Sequence, residues 1–69
     1  MGKVTTTWRI TLRVEKDGLF SEYNDTADIT APAVPSQKDV LMMTYGWITE
    51  ADPRLRGGRP VHGTATRLR

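Results

Sequence analysis

Few residues in this sequence could carry out bond chemistry. It has one histidine, His62, and no cysteine, and its only serines are Ser21 and Ser36. No H-x-x-x-H or H-x-E spacing surrounds His62. Without thiolates, a three-ligand zinc site would need carboxylates throughout. His62 therefore reads as a surface or edge-strand residue, Ser21 as a strand residue and Ser36 as a helix cap. The acids Glu22, Asp25 and Asp28 are spaced too irregularly to form a paired acid/base site. No glycine-rich phosphate loop or dinucleotide fingerprint is present. The expectation is a protein without catalytic residues, cofactor or metal, and so not an enzyme.

The arginines are the side chains with recognition chemistry left to them. The formal net charge is +2, yet residues 1–14 carry +3, residues 15–53 carry −6 and residues 54–69 carry +5. Basic ends around an acidic middle can mark a binding face. The candidate partner-binding residues are Arg9, Arg13, Arg54, Arg56, Arg67 and Arg69, which could grip phosphates or acidic side chains.

The elements that must position them follow from periodicity. Trp8, Ile10, Leu12 and Val14 alternate with Arg9, Thr11, Arg13 and Glu15, as a half-buried strand requires. Asp17-Gly18 is a strong two-residue hairpin signal. In that register Leu12 opposes Tyr23 on one face and Arg13 opposes Glu22 on the other, where cross-strand ion pairs can form. Asp25 would point inward opposite Ile10, which predicts a bulge or strand break near Asn24-Asp25.

Two prolines in "APAVP" end the second strand. Ser36 with Asp39 forms a variant capping box for a helix from about 37 to 51. Val40, Met43, Trp47 and Ala51, with Leu41, Tyr45 and Ile48 alongside, predict its buried face. Trp8 and Trp47 are both expected in the core, and Gly46 is expected to let the helix approach the sheet. Asp52-Pro53 stops the helix, 52–60 reads as a loop, and 61–69 as a C-terminal strand.

The predicted fold is an α+β, β-β-α-β single domain over 1–69, with its hairpin at 4–30. A right-handed crossover gives a three-stranded antiparallel sheet of order 2-1-3 with one helix on one face. A three-stranded sheet backed by one helix, with Arg on its open face and "TWRITLRVEKDG" as first hairpin, resembles the arm-type DNA-binding domains of phage integrases. Those domains complete three strands before the helix, whereas this chain places one after it.

The functional expectation is a small non-enzymatic interaction protein, such as an accessory protein, inhibitor or assembly factor. It would dock a negatively charged partner through a basic sheet face, or self-associate through edge strands. The alternative is a sequence-tolerant DNA-binding module using the same face. No apolar run approaches the roughly 20 residues of a membrane span, and the N-terminus lacks a secretory core, so the expected address is cytoplasmic, without membrane contact. The Arg, Thr and Ala usage suits a GC-rich genome such as an actinobacterium or its phage.

Overall fold

The computed structural model describes residues 2–69. Asp17 and Gly18 carry φ of 52° and 80°, the left-handed pair that a type I′ turn demands. The turn joins β1 (Val4–Lys16) to β2 (Leu19–Ala31). Their antiparallel register sets Leu12 against Tyr23, Arg13 against Glu22 and Trp8 against Ala27, as the alternation predicts. One face of β1 is buried from Thr6 through Trp8, Ile10 and Leu12 to Val14. Trp8 is only 4% exposed, and its indole Nε1 donates to Thr6 Oγ1 at 2.8 Å, so its polar end is satisfied inside the core.

The bulge expected near Asn24-Asp25 is absent. Pairing runs without a shift from Lys16↔Leu19 to Val4↔Ala31, with Asp25 directly opposite Ile10. Asp25 is tolerated there because β2 is an edge strand and the residue remains exposed. Its Oδ1 accepts from Thr26 N at 2.7 Å.

Helix α1 (Gln37–Ala51) begins with the predicted reciprocal cap: Asp39 N donates to Ser36 Oγ, and Ser36 N to Asp39 Oδ2. Its seat differs from the expectation. Val40, Thr44, Ile48 and Thr49 are buried, whereas Met43, Trp47 and Ala51 are exposed. Thr44 and Thr49 can turn inward because their hydroxyls donate back to the carbonyls of Val40 and Tyr45, at 2.8 and 3.0 Å. Leu41 and Tyr45 flank the buried stripe on one side, and Trp47 lies on the other, 5.8 Å from the Tyr23 ring. Gly46 faces away from the sheet, with nothing within 4 Å of where a Cβ would stand.

The segment read as a loop contains a 3-10 turn, Pro53–Leu55, capped by Asp52, whose Oδ1 accepts from Arg54 N. That turn drives Leu55 into the core at 0% exposure beside Leu12, Val14 and Ile48. Strand β3 (Arg59–Arg67) then pairs antiparallel with β1, two residues earlier than the expected 61–69. Between Arg13↔Val61 and Thr11↔Thr64 the register shifts, leaving His62 and Gly63 opposite Leu12 alone, with His62 at φ 54°. Gly63, not Gly46 as expected, lets helix and sheet approach: a Cβ there would stand 3.1 Å from Leu12 Cδ1 and 3.4 Å from Leu41 Cδ2.

The result is a three-stranded antiparallel sheet of order β2-β1-β3 with α1 on one face, the α+β architecture predicted from the sequence. The molecule is elongated, 43 × 20 × 16 Å, because the hairpin strands outrun both β3 and the helix.

Candidate interaction surfaces

The structure divides the six candidate arginines among three places. Arg9 and Arg13 stand on the sheet face that α1 leaves open. Arg54 and Arg56 lie at the hairpin-turn end, beside the 3-10 turn. Arg67 pairs with Trp8 across β1–β3, so the pleat sets it on the helix side, not with Arg9 and Arg13. The Arg69 backbone continues that pairing: its carbonyl accepts from Thr7 N at 3.2 Å and from Arg67 Nε at 3.0 Å.

The open face is of mixed sign. The pairing alternation places Arg9, Arg13 and Arg59 there, together with Glu15, Glu22 and Asp28. Arg9 Nη2 donates to Asn24 Oδ1 at 2.6 Å, and Thr7 Oγ1 donates to Asp28 Oδ1 at 2.6 Å. Arg13 opposes Glu22 in register, as expected, but makes its ion pair elsewhere. Its Nε lies 2.7 Å from Glu15 Oε2 and its guanidinium sits 3.9 Å above the Phe20 ring centroid. The Nε approach to Glu15 lacks hydrogen-bond geometry, so the charge contact and the aromatic face together hold this side chain.

At the turn end Arg54 is neutralised by Asp52 through two contacts, Nε to Oδ1 and Nη2 to Oδ2, each 3.0 Å. These hydrogen bonds hold the Asp52 carboxyl below its ordinary pKa and raise that of Arg54. Lys16 Nζ donates to Arg56 O at 2.6 Å. Beside it, Arg13, Glu15, Lys16, Asp17, Phe20 and Arg59 line a shallow open cleft of about 520 Å³. A second, more apolar groove of about 670 Å³ runs between α1 and β3 over Leu12, Leu41, Met42, Tyr45 and Pro60. The described residues contain no group of three or more His, Cys, Asp or Glu able to hold a metal ion.

Comparison with family models, curated proteins and solved structures finds no match. The surfaces must therefore be read from their own chemistry. No described helix is long and apolar enough to cross a membrane.

Two features escaped the sequence reading. One is an apolar shoulder on the β2 side of α1: Trp47 is 39% exposed and Met43 37%, with Met42 and Val34 exposed nearby. Tyr23 braces the Trp47 ring. The spacing of Thr44 with Val40 and Ile48 was the available signal, since a four-residue stripe through a self-bonded threonine turns Trp47 outward. The other is β2 itself, 13 residues long and paired on one side only. Its Glu22, Asp25 and Asp28 make no ion pair among the described residues.

Proposed function

We propose that the protein is a small non-enzymatic interaction protein that docks another protein along the Trp47 side of α1. The observation carrying this reading is Trp47 itself. A chain with only five aromatic residues, of which two are Trp, leaves one Trp at the surface. Tyr23 packs against it with the rings tilted by 51° and their centroids 5.8 Å apart, and Met43 lies one turn away on the same side of the helix. Trp and Met are enriched at protein interfaces, and a braced aromatic loses little freedom on binding.

A second reading rests on the turn end. Lys16, Arg56 and Arg59 gather there without a carboxylate partner among the described residues. This favours an anionic partner, either an acidic protein patch or a DNA backbone, met by arginines. The balanced charges of the open face support it less than the sequence alone does.

Photo-crosslinking in the producing cells separates the two. A benzophenone side chain at position 47 should give a discrete adduct, competed by excess wild-type protein but not by Trp47→Ser. Adducts from position 59 and none from 47, together with salt-sensitive binding of duplex DNA lost on reversal of Arg56 and Arg59, would refute the Trp47 reading and establish the second.

A further inference from the structure

The two outer strands of the sheet are protected from strand addition by different means. In a two-residue hairpin the closing pair, here Lys16↔Leu19, is hydrogen-bonded. The N–H and C=O groups of Ser21, Tyr23, Asp25 and Ala27 therefore face β1, and those of Phe20, Glu22, Asn24, Thr26, Asp28 and Thr30 face outward. On β3, Pro60 and the bulge at His62-Gly63 interrupt the corresponding row. Proline and bulges are structural blocks that no partner chemistry removes. Strand β2 has no proline, glycine or register shift along its 13 residues. It carries only carboxylates: Glu22, Asp25 and Asp28, none in an ion pair among the described residues.

Asp25 shows what those carboxylates select for. Its Oδ1 accepts from the outward N–H of Thr26 at 2.7 Å, so an incoming strand must take that donor. An apolar strand would supply a carbonyl to Thr26 and leave Asp25 without a partner. A strand with a lysine or arginine at that register supplies both the carbonyl and the counter-charge. A second copy of this chain is a poor occupant. Antiparallel pairing of β2 with itself about Asp25 sets Asp25 on Asp25 and Glu22 on Asp28, and β3 is interrupted.

We infer that the free edge of β2 is a strand-addition site for an extended Lys/Arg-bearing segment of another protein, which it reads by backbone pairing and by Glu22, Asp25 and Asp28. Side chains alternating toward the helix side would meet the shoulder of Tyr23 and Trp47, which joins this site to the proposed interaction surface. The inference names the partner of that surface, and it rests on the reading of the chain as an interaction protein.

The test uses an end-blocked nine-residue peptide of lysine and valine with lysines three residues apart, so that they fall on alternate faces as Glu22, Asp25 and Asp28 do, with the same peptide carrying glutamate for lysine as control, followed by amide NMR and hydrogen exchange on the full chain. The amides of Glu22, Asn24, Thr26 and Asp28 should shift and gain protection with the lysine peptide only. Thr26→Pro, which removes an outward donor and no β1–β2 bond, should weaken binding at least tenfold. Asp25→Asn, which keeps the side-chain shape, should weaken it about as much at low salt and less at high salt. Equal binding of the glutamate peptide, perturbation centred on β3 or the arginine end, or undiminished binding by a folded Asp25→Asn would overturn the inference. Loss of peptide binding with crosslinks at 47 intact would remove strand addition alone. Peptide binding without those crosslinks would remove the Trp47 reading and leave the edge site standing.

Discussion

Replacing Leu55 by alanine should cost more stability than replacing Trp47, although one lies in an Arg- and Gly-rich connection and the other in the helix. Leu55 is 0% exposed and packs against Leu12, Val14 and Ile48. The 3-10 turn that carries it is tied by Leu55 N to Asp52 O at 3.0 Å and by Gly58 N to Leu55 O at 2.9 Å. Such a site cannot collapse easily, so truncation removes the transfer free energy and leaves a cavity, about 2–5 kcal/mol together. Trp47 is 39% exposed. Its truncation forfeits part of a ring's burial, about 1–2 kcal/mol, and leaves no enclosed void. A chain of this size has roughly 3–10 kcal/mol in total. Leu55→Ala should therefore remove about a fifth of the stability or more, and each kcal/mol lowers the melting temperature by about 4–8 °C. Guanidinium denaturation followed by the fluorescence of buried Trp8 reads both variants. A Leu55→Ala cost below about 1 kcal/mol, or one smaller than that of Trp47→Ala, would refute the packing argument.

Gly46→Ala should stabilise the protein by about 0.5–1 kcal/mol, since a helical alanine there meets open space. Gly58→Ala should destabilise it, because the new Cβ would stand 2.8 Å from Leu55 O and 2.9 Å from Glu15 O, both backbone atoms. Paired denaturation curves check the opposite signs. Ser36→Ala should cost about 1 kcal/mol by removing the acceptor for Asp39 N. The Asp52 carboxyl should titrate below the usual value of about 3.9 in a carboxyl NMR titration and return toward it in Arg54→Ala. A depressed folded-state pKa means the pair's stabilisation is present above the ordinary carboxylate range. It is lost as pH falls through the folded value, so near-neutral pH changes should leave it untouched.

The hairpin, the strand order and the helix start were legible because each rests on local chemistry with one solution. Asp17-Gly18 fixes the turn, strict alternation fixes the register, and Ser36 with Asp39 fixes the cap. The helix seat was not legible. Hydropathy ranks Met43 and Trp47 above Thr44 and Thr49, while the fold buries the threonines by bonding their hydroxyls to the helix backbone. Leu55 was hidden because a single apolar residue between two arginines carries no periodicity. The basic face was inferred from charge along the chain. Pairing instead sets Glu15, Glu22 and Asp28 among Arg9, Arg13 and Arg59, and sends Arg67 to the helix side.

The order β2-β1-β3 puts the most buried strand in the middle and gives its two neighbours very different histories. The partner on one side is joined by a two-residue turn and can form in microseconds. The partner on the other side is more than 40 residues away along the chain from the segment of β1 it pairs with, a slow closure in any folding sequence. On a growing chain, β1 would therefore spend its early life with one side satisfied and the other open. That vacancy is lined by the Thr7, Arg9, Thr11 and Arg13 backbone, which in the finished fold bonds to β3. A β3 segment from a neighbouring chain fits it as well as the chain's own, so crowded synthesis favours strand exchange between copies at this seam and not at the hairpin.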